Sequence, residues 1–169
     1  MTRRTLVGTT VGVVIGLVAA SGVASQAQTA LRRPVATLTP RVDTKAVRAG
    51  STVVLAVRVA LPEGVHVQSN KPRDPGLIAT VLTVTPPAGL TLVGVRYPKD
   101  VELAQRGAPK PLLVYPNEFD ITVELKVGAG VAAGKLTVPA TLRYQACNET
   151  LCFIPTNAAT AWTVAVTKG

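Results

Sequence analysis

Apolar and polar residues alternate along most of the chain after residue 30, and this alternation predicts β-strands. In the clearest segment, residues 119–127, every second residue is apolar and the residues between are polar or charged. Successive side chains of a strand point to opposite faces, so one face of this strand is predicted to be buried and the other exposed. The predicted inward residues are Phe119, Ile121, Val123, Leu125 and Val127.

Residues 51–64 repeat this pattern and end in a Pro-Glu-Gly turn, with Arg58 predicted to face outward. The inward residues here are Val53, Leu55, Val57, Val59 and Leu61. No segment after the leader has the 3.6-residue period of a helix. Six further segments have strand-like patterns: residues 36–42, 64–68, 78–85, 90–97, 136–146 and 159–166.

About eight short strands separated by proline and glycine predict an all-β fold, an immunoglobulin-like antiparallel β-sandwich. A parallel sheet would need crossover helices, which the pattern does not provide. Two segments are predicted to be loops. They are residues 97–118, which contain four prolines, and residues 128–135, which are rich in glycine and alanine.

The first 30 residues have the pattern of an export signal: two arginines, an apolar stretch over residues 6–23, and small residues that permit cleavage after Ala27 or Ala30. The stretch approaches the roughly 18 apolar residues that begin to suffice for a membrane span, so an uncleaved anchor is the alternative. We therefore expect a signal peptide or anchor at 1–30 and one domain at 31–169. The predicted location is periplasmic.

The charge balance is basic, with 18 Lys and Arg residues against 9 Asp and Glu residues. These positive residues are scattered rather than clustered, which indicates a solvated surface and not a nucleic-acid site. The sequence also lacks a phosphate-binding glycine loop and a carboxylate pair typical of glycosidases. We expect no cofactor, no nucleic acid partner, and membrane contact only through the leader.

The chain has two cysteines, Cys147 and Cys152, which flank a predicted hairpin turn. In an oxidising compartment they are predicted to form a disulfide. A loop this short contributes only about 2 kcal/mol in the chain-entropy estimate, so the bridge is an inefficient brace. From the residues alone, a redox role and a structural role stay equally open. Glu149 would raise a thiol pKa and Arg143 would lower it, so neither cysteine is predicted to be strongly activated.

Three short runs of residues are distinctive: Tyr-Gln-Ala-Cys at 144–147, Cys-Phe-Ile-Pro at 152–155, and His-Val-Gln-Ser-Asn-Lys-Pro at 66–72. In these runs the sequence resembles the N-terminal periplasmic domain of the thiol:disulfide interchange protein DsbD. The resemblance implies that Cys152 attacks in mixed disulfides and that Cys147 resolves them. It also implies that residues 114–116 occupy the place of a shielding loop, with Tyr115 as the cap.

The same resemblance implies that Tyr144 and Phe153 line the site, although all three aromatic residues could equally be ordinary core residues. The implied partners are proteins with thiols or disulfides: a membrane reductase as electron donor and a periplasmic thioredoxin-like client. In the DsbD family a membrane domain and a thioredoxin-like domain follow, whereas this sequence ends at Gly169, so we expect the electrons to come from another polypeptide. The sequence departs from the family in having Val114 where a phenylalanine is common and in its tighter cysteine spacing.

Three alternatives were weighed against this hypothesis. A zinc or copper site could use His66, Cys147 and Cys152 as ligands, and a hydrolase could use Ser69, His66 and Asp74. The metal site is disfavoured because it has too few candidate ligands, and the hydrolase is disfavoured because a nucleophile elbow is missing. We expect instead that His66 and Ser69 satisfy backbone groups near a strand end. The third alternative is a non-catalytic immunoglobulin-like binding module with a structural disulfide.

Overall fold

A computed structural model describes residues 33–105 and 107–169, and all the regular structure in these residues is β-strand. The predicted signal peptide or anchor at residues 1–30 lies outside the described residues. In chain order the strands are β1 (Thr37–Val42), β2 (Val47–Arg48), β3 (Thr52–Ala60), β4 (His66–Gln68), β5 (Val81–Val84), β6 (Leu90–Arg96), β7 (Val101–Leu103), β8 (Leu112–Tyr115), β9 (Glu118–Val127), β10 (Gly134–Tyr144), β11 (Ala146–Cys147) and β12 (Thr156–Thr167).

Two four-stranded sheets form the sandwich. The first has the order β1-β3-β9-β6 and the second has the order β2-β12-β10-β5. All neighbours are antiparallel except β2 and β12, which pair in parallel. The Trp162 indole of β12 donates a 2.7 Å hydrogen bond to the Ala56 carbonyl of β3, which ties the two sheets together. This arrangement confirms the predicted immunoglobulin-like antiparallel sandwich.

The core of the sandwich consists of the residues that the alternation predicted. All ten predicted inward residues of the two segments are buried, and they belong to one apolar cluster with residues of β10 and β12. Arg58 faces outward as predicted, where it makes ion pairs with Asp120 at 3.4 Å and Glu118 at 3.8 Å. The period-two pattern therefore located both faces of β3 and β9 correctly.

A third, smaller sheet has the order β11-β4-β8-β7 and contains the cysteine segment. It corrects the sequence analysis, because residues 97–118 were predicted to be a loop and contain both β7 and β8. The four prolines of this segment lie outside the two strands. Every residue that pairs in β7 and β8 therefore keeps its N–H donor, and the segment forms a short hairpin that pairs with β4.

Two other short strands were not predicted. These are β2 and β11, and a two-residue strand is too short for alternation to reveal it. In the part of the chain that the structure describes, no helix is long and apolar enough to cross a membrane.

Candidate functional site

The two cysteines lie side by side at the end of the third sheet. Cys147 ends β11 and forms an antiparallel bridge with Cys152, and their sulfurs are joined in a disulfide with a Cα–Cα distance of 4.0 Å. The turn between them is fixed by Asn148, whose side-chain oxygen accepts hydrogen bonds of 2.9 Å from the backbone N–H groups of both Thr150 and Leu151. This is a typical asparagine turn, and together with the backbone hydrogen bond from the Asn148 N–H to the Leu151 carbonyl it holds the two cysteines close together.

The two sulfurs differ in their access to solvent. Cys147 is fully buried, whereas Cys152 is partly exposed and lines a surface cleft. The side-chain amide of Gln68 donates a 3.5 Å hydrogen bond to the Cys147 sulfur from the neighbouring strand β4. Of the two cysteines, Cys152 is therefore the one that borders the cleft, while Cys147 is covered by the sheet.

The cleft beside Cys152 has a volume of about 640 Å³ and two main walls, residues 73–75 with Leu77 and residues 107–112 with Gln105. Arg73 links these walls, because its guanidinium pairs with Glu102 and donates a 3.0 Å hydrogen bond to the Pro111 carbonyl. The sequence analysis did not find this cleft. Its walls are distant from Cys152 in the sequence, and they contain no chemically distinctive residue type.

Two exposed apolar side chains flank the reactive edge of the hairpin. Leu151 precedes Cys152 and is 44% exposed, and Ile154 follows it and is 73% exposed. Apolar side chains held in water beside a reactive group are typical of a surface that another protein covers.

Tyr115, which was predicted to cap the disulfide, lies inside the third sheet. It is fully buried, and its hydroxyl donates a 2.5 Å hydrogen bond to the side-chain oxygen of Asn70. Its ring stacks on Tyr97 at 6.3 Å and packs against Phe119 at 4.9 Å. Burial raises the pKa of Tyr115, which keeps the phenol protonated as a donor. The cleft beside Cys152 is lined by other residues, and the cap role of Tyr115 stays a prediction.

Tyr144 and Phe153, which were predicted to line the site, take different positions. Tyr144 is fully buried, and its hydroxyl accepts a 2.8 Å hydrogen bond from the Ala36 N–H. Phe153 is partly buried against the apolar core, and its N–H donates a 2.8 Å hydrogen bond to the Ala146 carbonyl beside the disulfide. Phe153 therefore lies next to the cysteine pair in the ladder, and the site roles of both residues stay predictions.

The buried polar residues of the described chain lie in or beside the third sheet: His66, Gln68, Ser69 and Thr80. The Ser69 hydroxyl accepts a 2.8 Å hydrogen bond from the Lys71 N–H, and in this respect it satisfies a backbone group as expected. His66 does not behave as expected, because its Nε2 has no hydrogen-bond partner. Sequence reasoning missed Gln68, although a glutamine among the apolar residues of a predicted strand was a visible signal.

The structure gives no support to a zinc or copper site in residues 33–105 and 107–169. No group of three or more His, Cys, Asp or Glu side chains is placed to hold a metal ion there. Both sulfurs are engaged in the disulfide.

The fold and the site together define an all-β sandwich module that carries one disulfide with a buried and an accessible sulfur. The chain belongs to the family of the N-terminal domain of the thiol:disulfide interchange protein DsbD, whose family model matches residues 36–163. The match includes both cysteines and confirms the resemblance seen in the sequence. Domains of this family are of a periplasmic type. Membership in the family supports a role as a thiol:disulfide interchange module whose partners are proteins with thiols or disulfides.

Comparisons with other proteins gave only distant likenesses. No curated protein matches the chain. Among solved structures, the major pilin subunit BcpA of Bacillus cereus is 15% identical with a TM-score of 0.40; the match covers 79% of this chain but only 40% of BcpA. The bacterial hydrophobin BslA is 15% identical, with a TM-score of 0.35 and coverage of 78% and 95%. The fimbrial subunit AggA of Escherichia coli is 9% identical, with a TM-score of 0.36 and coverage of 80% and 97%.

Proposed function

We propose that the protein is a periplasmic thiol:disulfide exchange module that relays reducing equivalents through Cys147 and Cys152. A separate membrane reductase is the donor and a thioredoxin-like periplasmic protein is the client. The observation that carries this proposal is the asymmetry of the pair: Cys152 lines an open cleft while Cys147 is fully buried behind it. A relay needs one sulfur that partners can reach and a second that acts only within the chain.

The asymmetry supports the following order for the two steps of the exchange. In loading, a reductase thiolate attacks the Cys152 sulfur and expels Cys147 as a thiolate, and the second reductase thiolate then releases the chain as a dithiol. In delivery, the Cys152 thiolate attacks the client disulfide and one client sulfur leaves as a thiolate. Cys147 then attacks Cys152, re-forms the internal disulfide and releases the second client sulfur. Two electrons pass from reductase to client, and the chain returns to its starting state.

The surface around Cys152 fits a protein partner better than a small molecule. Leu151 and Ile154 place exposed apolar area on both sides of the sulfur. Arg73 and Lys110 add positive charge to the cleft lining, although Arg73 is paired with Glu102. Burial of exposed apolar side chains around a central reactive group is the pattern by which a transient complex is positioned.

The roles of the two cysteines are tested with single serine variants. Each reduced variant is mixed with glutathione disulfide and with a purified periplasmic thioredoxin-like protein in its disulfide form, and mixed disulfides are counted by mass spectrometry after an acid quench. Cys147→Ser should accumulate a stable mixed disulfide through Cys152, because the resolving thiol is absent. Cys152→Ser should form almost none, because its remaining thiol is buried.

The double variant with both serines gives the background for adduct formation. Equal capture by the two single variants would contradict the assigned roles. Absence of capture by Cys147→Ser would contradict the relay itself and would leave an exported immunoglobulin-like binding module with a structural disulfide.

A further inference from the structure

His66 lies directly opposite Cys147 in the third sheet. The two residues are paired in the antiparallel register of β4 and β11, and directly opposite residues of an antiparallel pair share one face of the sheet. Gln68, two residues further along β4, is on that same face and reaches the Cys147 sulfur with its side-chain amide. The imidazole of His66 is thus placed on the side of the sheet where the Cys147 sulfur lies.

The environment of His66 is unusual for a residue with a purely structural role. The residue is only 8% exposed, and its buried Nε2 makes no hydrogen bond of normal geometry, although the Gln105 side chain is close enough to raise the imidazole pKa by hydrogen bonding. A buried polar atom that is poorly hydrogen-bonded weakens the folded state. This weakly satisfied nitrogen is available for proton exchange.

A second cleft gives this histidine a connection to solvent. It has a volume of about 490 Å³ and is lined by His66 together with Gln105, Glu149 and Thr150. Gln105 also lines the cleft of Cys152, so the two clefts meet at this residue. Glu149 is exposed and is the one charged side chain lining this cleft among the described residues. Of the strands paired with β4, β11 contributes Cys147 as a titratable group once the disulfide is reduced, and β8 contributes Tyr115, whose pKa is raised by burial.

The exchange reaction requires a proton to leave Cys147 and later to return, and His66 is placed to carry it. Cys147 must lose its proton before it attacks Cys152, and it must regain one when the disulfide is reduced, yet its sulfur is shielded from water. Burial lowers the pKa of His66, and the nearby Gln105 side chain opposes this only in part. The imidazole is therefore neutral at neutral pH and can accept a proton.

We propose that His66 exchanges a proton with Cys147 during thiol:disulfide exchange, an inference that rests on the proposed relay function. In delivery, His66 takes the proton of the Cys147 thiol, and the resulting thiolate attacks Cys152 and displaces the client sulfur. The protonated imidazole then gives this proton to the departing client thiolate or to water in the cleft. In loading, His66 first takes a proton from the attacking reductase thiol or from water in the cleft and then passes it to the expelled Cys147 thiolate.

The placement of His66 is tested first, by its titration. His66 is the only histidine in the sequence, so a tag-free sample gives one imidazole signal in an NMR titration. In Cys152→Ser the free thiol is Cys147, and the imidazole signal should show two inflections, one for its own protonation and one for the ionisation of Cys147. In Cys147→Ser the free thiol is Cys152, and only one inflection is expected. Identical single inflections in both variants would overturn the proposal.

The role of His66 in the reaction is tested by kinetics. Reduced protein is mixed with glutathione disulfide, and acid-quenched samples are separated by mass spectrometry into the glutathione adduct and the internal disulfide. His66→Gln should slow the resolution of the adduct at neutral pH by about 10- to 100-fold and change its pH profile, while formation of the adduct stays within about twofold. The matched control is Leu103→Val, which alters the lining of the same cleft without changing its charge and should leave the resolution rate within about twofold.

A resolution rate of His66→Gln within about twofold of the wild-type rate, with the same pH profile, would overturn the proposal. If His66→Gln folds poorly, the wild-type protein supplies the test, because reduction with dithiothreitol should shift the imidazole signal and move its titration midpoint. An unchanged midpoint contradicts the proposal. Failure of the relay can be distinguished from failure of the His66 proposal. If the relay fails, exchange partners cannot reduce the disulfide, whether or not His66 and Cys147 titrate together.

Discussion

The sandwich and the third sheet differ in the length of their strands and in the polarity of their buried residues. The sandwich relies on long strands, such as β9, β10 and β12 with ten to twelve residues each, and its buried side chains are apolar. The strands of the third sheet have two to four residues. The described chain's buried polar residues, His66, Gln68, Ser69 and Thr80, belong to it or lie directly beside it.

This contrast indicates that the sandwich supplies most of the stability and that the third sheet carries the candidate exchange site. The apolar strands of the sandwich supply the stability, because burial of their side chains is the dominant favourable contribution to folding. The third sheet accommodates an unpaired imidazole nitrogen and two clefts, features that lower stability but are suited to an exchange site. Changes in the sandwich should therefore alter stability without altering exchange, whereas changes in the third sheet should alter exchange and affect stability less.

The largest effect on stability is expected from the sandwich core. Ile121 of β9 is fully buried, and Ile121→Ala should lower the free energy of unfolding by about 2–5 kcal/mol. Urea denaturation measures this loss, and the rate of exchange with glutathione disulfide should be unchanged below the transition. Thr122→Ala, on the outer face of the same strand, is the matched control and should cost far less. A core variant that changed the exchange rate would show that the two regions are coupled.

Reduction of the disulfide should have a smaller effect on stability. The closed loop is short, with a sequence separation of 5, so loss of the bond should lower the free energy of unfolding by about 2 kcal/mol. Urea denaturation with and without dithiothreitol provides the comparison, and a protein with Cys147→Ala and Cys152→Ala serves as the control that dithiothreitol should not affect. A loss as large as that of Ile121→Ala would mean that the bridge is a main structural brace.

The smallest expected effect is a pH dependence of stability that comes from His66. Burial lowers its pKa below the ordinary value of 6.5, so the unfolded chain binds this proton more tightly than the folded chain. Stability should therefore be fully present above pH 6.5 and should decrease as the pH falls below that value, until the folded-state pKa is passed. Urea denaturation at several pH values between about 5.5 and 7.5 measures this slope, and His66→Gln should flatten it. An equal slope in the variant would contradict the assignment.

The sequence predicted the sandwich well because its signal is local. Alternation in residues 51–64 and 119–127 identified the buried face of β3 and β9, and both faces are as predicted. The cysteine hairpin was predicted equally well, since a separation of five residues between Cys147 and Cys152 leaves a turn as the natural connection. These features depend on residues that are neighbours in the sequence.

The third sheet was predicted poorly because its contacts are not local. β7 and β8 are short and lie among prolines, so alternation could not reveal them, and the pairing of β8 with β4 spans more than forty residues. The contact between Gln68 and Cys147 depends on the register of β4 and β11 and joins residues 79 positions apart. Periodicity within one segment carries no information about such a register. The placement of Tyr115 inside the sheet was hidden for the same reason.

The measurement that tests the central claim most directly is the reduction potential of the disulfide between Cys147 and Cys152. The purified protein is equilibrated with dithiothreitol or glutathione redox buffers, and the fraction of free thiols is determined by alkylation and mass spectrometry. A relay predicts a potential between about −180 and −270 mV, within the range of known exchange proteins. A potential well below about −300 mV would contradict the relay, because partners could not reduce a bond of that kind, and the disulfide would be structural.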